Sequence, residues 1–196
     1  MISPAPRIGV LMLALSTALP AMAADRYVLD PAHLSVGFLV HHIGYADTLG
    51  MFLEARGEYS FDEEAGELSD LRVVIQTDSV FTNHEGRDDH LRGGDFLNVD
   101  EYPEMVFSAD SAEALGDRRY RIDGELTLLG QTRPLTLEAT WNKSGKYPIP
   151  PFAYVMGVSA RGSFQRSDFG MNYAVDNGWV GDEVELILEF EARRQE

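Results

Sequence analysis

The chain has 196 residues, 44% of them hydrophobic and 10% aromatic, with 32 acidic against 16 basic side chains and no cysteine. Such a composition can build a core and is not that of a disordered chain, while a net charge of −16 disfavours nucleic acid and anionic membrane surfaces as partners. Without cysteine there is no disulfide, no thiolate metal site and no cysteine nucleophile.

Residues 1–23 read as a secretory signal peptide. Arg7 is the only charge before Asp25, Ile8 to Leu19 is apolar, and Ala21-Met22-Ala23 sets small residues ahead of a cut before Ala24. The apolar run falls short of the roughly 20 residues of a membrane span. The expectation is an exported, periplasmic protein without stable membrane insertion, with residues 24–196 as a single domain.

The mature chain is dominated by a two-residue apolar/polar period, the mark of half-buried strands. Tyr27–Asp30 reads as a short strand broken by Pro31. Ser35–His42 follows, with Val36, Phe38, Val40 and His42 on one face, and Gly44–Gly50 reads as a loop. Met51–Phe61 reads as one long strand with Met51, Leu53, Ala55, Tyr59 and Phe61 on one side. Leu71, Val73 and Ile75 belong to the next strand.

Period two then stops. Thr82–Asp100 is polar and Gly-rich, and Asn83 is a candidate cap for a short helix over His84–Leu91. Long crossings of this kind are often lids or binding loops. Alternation resumes with Met105 and Phe107, then with Tyr120, Ile122, Leu126 and Leu128. Leu135, Leu137, Ala139 and Trp141 follow in Pro134–Asn142, and Lys143–Phe152 reads as a Pro-rich loop. Met156, Val158 and Ala160 lie on one face of Tyr154–Phe164. In the last strand, Glu183–Ala192, Val184, Leu186, Leu188 and Phe190 alternate with glutamates, and only Ile187 breaks the outer row. Eight or nine antiparallel strands in one domain indicate an all-β barrel or sandwich. The inward row contains Ala55, Gly57, Gly124, Ala139, Ala160 and Gly162, small residues that suggest a hollow interior; the alternative is that they fit the barrel taper.

The chain carries Asp30-Pro31-Ala32-His33, Phe38, His42-Ile43-Gly44, Gly50 and Phe52; then Ser79-Val80-Phe81-Thr82-Asn83, Arg87-Asp88-Asp89-His90-Leu91-Arg92, Asp95-Phe96-Leu97 and Tyr102-Pro103; then Gly124-Glu125-Leu126-Thr127, Gly130-Gln131-Thr132 and Arg166-Ser167-Asp168-Phe169-Gly170. In this order and spacing it resembles the YceI-like family of bacterial polyisoprenoid-binding proteins, from about Tyr27 to the C-terminus. Leu34 and His41 depart from the residues frequent there. The resemblance implies a lipocalin-like antiparallel barrel, usually periplasmic, holding an isoprenoid lipid such as a quinone or polyprenyl compound in an apolar tunnel, with no catalysis, no metal and no cofactor.

Strand parity nominates the lumen wall: Phe38, Val40, Leu53, Tyr59, Val73, Ile75, Phe107, Tyr120, Ile122, Leu126, Leu137, Trp141, Met156, Val158, Leu186 and Leu188. His42 is the candidate polar contact, the competing reading being a core histidine bonded to backbone. The Arg87–Arg92 run reads as a helix pinned to the barrel by Arg–carboxylate pairs, with binding of a lipid head group as its alternative. Arg166–Gly170 reads as a structural strand-end turn. The five histidines do not form a metal site by spacing: His41 and His42 point to opposite faces, and His84 and His90 do not share a helical face. Two rival functions stand beside lipid carriage: a filled barrel serving stress response or partner binding, and an enzyme on a small lipid using His42 or His90 as base. An exposed barrel edge also leaves a homodimer open.

Overall fold

The computed structural model describes residues 24–196, so the signal-peptide expectation for 1–23 lies outside the described residues. The strands are β1 (Asp25–His42), β2 (Ala46–Phe52), β3 (Ala55–Asp62), β4 (Glu67–Gln76), β5 (Val80–Phe81), β6 (Glu104–Ala109), β7 (Glu113–Gly116), β8 (Arg119–Leu128), β9 (Gln131–Lys146), β10 (Tyr154–Gln165) and β11 (Val180–Arg194), with one helix, α1 (Glu85–Arg92), between β5 and β6. Eight strands close a barrel in the order β1-β3-β4-β6-β8-β9-β10-β11, and β11 pairs back to β1. All the pairings are antiparallel. Closure removes the long edges on which a dimer expectation rested, leaving β2–β5 and β7 outside the ring.

Where hydrophobic periodicity is clean, the observed strands follow it. β11 turns Val184, Leu186, Leu188 and Phe190 inward. The apolar exception Ile187 lies opposite Gly37, whose bare backbone leaves room for it.

Five expectations are corrected. β1 is not ended by Pro31: it runs on to His42, and its register against β11 jumps between Leu29↔Ala192 and Leu34↔Phe190. A bulge at Asp30–His33 takes up the surplus residues, and it is there that a residue with no backbone donor is tolerated. The Asp30 carboxylate fills the bulge, accepting from the Ala32 amide (3.2 Å), the His33 ring (3.0 Å) and the Arg193 guanidinium (2.6 Å).

Met51–Phe61 is not one strand, and Gly44–Gly50 is not all loop. β1 is so long that it needs two partners on one edge: β3 beside Asp25–Val28 and β2 beside Val36–His42. The chain steps outward at Leu53-Glu54 between them, where the Leu53 amide bonds Ser79 O (3.1 Å). The step inverts parity in β2, so that Phe52 turns inward against Phe38, 5.6 Å between rings, and Leu53 is 63% exposed.

The helix cap is His84, not Asn83. Asn83 takes a left-handed backbone, φ 61°, which its short polar side chain tolerates. His84 Nδ1 instead accepts the Arg87 amide at 3.1 Å. Finally, β9 extends through Lys146, with a bulge opposite Gly157 and Val158, which shortens the expected Lys143–Phe152 loop.

Candidate functional site

The barrel encloses a cavity of about 430 Å³, within the roughly 300–1,000 Å³ typical of small-molecule sites. Its wall is apolar side chains from nearly every barrel strand. Of the residues nominated by parity, Phe38, Val40, Val73, Ile75, Phe107, Ile122, Leu126, Leu137, Val158, Leu186 and Leu188 line it, and His42 stands at its rim. Leu53 does not, because the step in the chain throws it outside. Tyr59, Tyr120, Trp141 and Met156 point inward but are not part of the lining; they build the floor.

The inward glycines are not the source of the space. A Cβ at Gly124 would meet the Phe107 ring at 2.6 Å, and one at Gly162 would meet Leu137 at 2.7 Å. These positions are small because a large neighbour lies across them. Ala139 and Ala160, by contrast, face the cavity.

The floor is a polar-tipped aromatic layer. Tyr27 and Tyr59 stack at 5.3 Å, and Phe61 meets Tyr120 and Trp141 edge-on, each at 5.7 Å. Beneath them Glu63 accepts hydroxyl hydrogen bonds from Tyr27 (2.6 Å), Ser144 (2.6 Å) and Tyr154 (3.2 Å). Burial, reinforced by the hydrogen bond to Glu63, raises the Tyr27 phenol well above its ordinary range, and burial does the same to Tyr59. Neither ionises at physiological pH, so the Tyr27 hydroxyl stays a donor to Glu63.

The opposite end is a rim built by the non-strand segments. Leu91 of α1, Phe96 and Leu97, and Met171, Tyr173, Ala174 and Trp179 complete the wall. Period two could not nominate them, because none lies on a strand; the sequence signals nearest to them are the Arg87–Arg92, Asp95-Phe96-Leu97 and Arg166–Gly170 motifs.

Two arginines shape this rim. Arg166 is only 2% exposed. Its guanidinium donates to the carbonyls of Gly181 (2.7 Å), Met171 (2.8 Å), Tyr173 (2.8 Å) and Val180 (3.0 Å). Burial lowers its pKa from the ordinary value, with Asp182 opposing. The Arg166–Phe169 turn is thus structural, and Gly170 closes it at φ 88°. Arg87, also at the cavity wall, donates to Thr82 Oγ1 (2.7 Å) and Thr82 O (2.6 Å).

The helix is pinned to the barrel as expected, but through different partners. Arg92 reaches the carbonyls of Asp78 (2.8 Å) and Val80 (3.0 Å), and Asp88 accepts from the Thr82 amide (2.8 Å) and hydroxyl. Arg92 keeps one carboxylate pair, with Asp89 on its own helix (3.1 Å), but toward the barrel backbone carbonyls of the turn before β5, of β5 itself and of Thr82 take the place of the expected carboxylates.

Of the histidines, His42 is exposed, which removes the core-histidine reading. His90 lines the cavity, with Nε2 3.0 Å from Asp95 and its ring edge-on to Phe96 and Tyr173, 5.0 Å from each. One cluster that the histidine spacings did not reveal, Asp30, His33 and Glu191, has its ligand-type atoms within 4.8 Å of one another. The Arg193 guanidinium already supplies a cation to Asp30 there.

A family model described as the YceI-like domain matches residues 27–192. The UPF0312 protein of Pseudomonas aeruginosa is 40% identical over 184 residues, covering 93% of each chain. The crystal structure of the Campylobacter jejuni YCEI protein matches with a TM-score of 0.69 at 27% identity, over 80% of this chain and 90% of that one. A polyisoprenoid binding domain from Saccharophagus degradans shares the fold, with a TM-score of 0.63 at 12% identity over 88% of this chain and 99% of that one.

Proposed function

The chain belongs to the YceI-like domain family, and from that premise we propose that it is an exported, periplasmic carrier holding a long isoprenoid-type lipid, a quinone or polyprenyl compound, in the barrel lumen. The observation that carries this reading is the asymmetry of the cavity. Its wall is mostly apolar, its floor is shut by the tyrosine–tryptophan layer over Glu63, and its polar lining, which includes Arg87, His90 and His42, comes from α1 and the end of β1 rather than from the floor. Such a site fits an amphiphile with a hydrocarbon body and a polar end. The Saccharophagus domain of the same fold, named for polyisoprenoid binding, supports the choice of ligand class.

Affinity comes from removing apolar surface from water, at about 25 cal/mol per Å², less the cost of ordering a flexible chain. The filled-barrel alternative conflicts with a cavity of about 430 Å³. The enzyme alternative has His90 oriented by Asp95, an imidazole–carboxylate pair that also serves as a polar contact in the cavity lining. The carrier reading is tested by titrating the detergent-free protein with a geranylgeranyl probe and an isoprenoid quinone. Saturable one-to-one binding is expected; no binding of either would overturn it.

A further inference from the structure

The barrel wall has a gap on one side. Along one edge of β1, pairing with β3 ends at Val28↔Glu58 and pairing with β2 begins only at Val36↔Phe52, so residues 29–35 have no strand beside them. Outside this gap lies a groove of about 300 Å³. Leu34 and Phe52, both half-buried, line both the groove and the lumen, so these two side chains lie between the two cavities. Leu53, one of the most exposed large apolar side chains, stands on the outer lip. Phe52 is held by β1 only at Val36, where pairing resumes, and on its other edge by Val80, while the Leu53 amide bonds Ser79 O; no strand pairing of this strap reaches residues 29–35 of β1.

We propose that this seam is a second opening of the lumen, through which the hydrocarbon tail of the ligand passes. The inference rests on the lipid-binding reading and deepens it. A lumen of about 430 Å³ is the size of a drug-like ligand, and its floor is sealed by hydrogen-bonded aromatics. A tail longer than the lumen must therefore leave through the side. Leu34 and Phe52 are the gate: unbranched or methyl-branched hydrocarbon slides between them when the Phe52 ring turns. The protein thereby accepts isoprenoid chains of more than one length while holding the same polar end at the rim.

The test uses stopped-flow association and displacement of a geranylgeranyl chain carrying a dansyl head, with the mature protein in the absence of detergent. The chain has no cysteine, so Leu53→Cys can be labelled uniquely with a bulky maleimide at the outer lip. Glu125→Cys, exposed on β8, carries the same label as control. The label at Leu53 is expected to slow association at least fivefold relative to the label at Glu125, and Phe52→Ala to speed dissociation by a similar factor. Should Phe52→Ala fail to fold, the surface label still decides. Equal rates for the two labelled proteins, with binding intact, would overturn the seam alone; failure of the unmodified protein to bind the probe would overturn the lumen reading and the seam together.

Discussion

Leu126→Trp places an indole in the middle of the lumen. Leu126 is buried on β8, between Phe107 on β6 and Arg133 on β9 in the register of the sheet, and its side chain is part of the cavity wall. A tryptophan carries about 150 Å² or more of buriable surface. If that much lumen surface is denied to the ligand, at about 25 cal/mol per Å² the loss is roughly 4 kcal/mol, or on the order of several hundred-fold in Kd. The fold should survive. Overpacking a filled core costs about 1–3 kcal/mol, but here the added atoms enter a cavity of about 430 Å³, so a fall in Tm of no more than about 4 °C is expected. Glu125→Trp, one residue away on the solvent face, is the matched control and should leave affinity unchanged. The assay is fluorescence titration with the dansyl-geranylgeranyl probe alongside thermal melting by circular dichroism. A well-folded Leu126→Trp protein that binds as tightly as the parent would refute the lumen as the binding site.

Glu63→Ala removes the common acceptor of the Tyr27, Ser144 and Tyr154 hydroxyls; leaving buried donors unpaired costs about 1–3 kcal/mol each, so the melting midpoint should fall by several degrees, whereas Ser144→Ala should cost far less. Arg166→Lys keeps a charge but loses the planar fork that reaches four carbonyls; urea unfolding should show a loss above about 2 kcal/mol, with amide exchange in 171–181 speeding first. Burial alone would raise the Asp30 carboxyl, but hydrogen bonds from His33, Arg193 and the Ala32 amide together hold its pKa below the ordinary value. A depressed folded pKa stabilises at pH above the unfolded value and is lost as pH falls through the folded one, so stability should drop below about pH 4. Asp30→Asn should flatten that acid limb in urea midpoints measured against pH.

How far the sequence reaches depends on what each segment buries. β11 and β8 have one wet and one dry face, so alternation alone located Val184, Leu186, Leu188, Ile122 and Leu126 on the inner row. The same rule failed at Leu53, because parity holds only while a strand keeps its partner, and β1 exchanges β3 for β2 there. Tyr59, Tyr120, Trp141 and Met156 turn into the core but fall outside the cavity lining that parity assigns them, because parity carries no information about height in the barrel. Only the packing of Phe61 against Tyr120 and Trp141 separates floor from wall. Small inward residues were a poor gauge of space, since Phe107 lies over Gly124 while Ala139 and Ala160 are open to the cavity. The rim was least legible. Phe96, Tyr173 and Trp179 sit on segments without a period; the buried fork of Arg166 bonds the carbonyls of Tyr173 and Val180 and lies over the Phe96 ring, contacts that local spacing does not encode.

The most direct test of the carrier reading is native mass spectrometry of the protein taken from a periplasmic extract without detergent. The reading predicts that the protein is present there, cut before Ala24, and carries a noncovalent adduct whose mass series steps by isoprene units, absent from Leu126→Trp. A protein that stays free of adduct after incubation with quinones and polyprenyl lipids would contradict it.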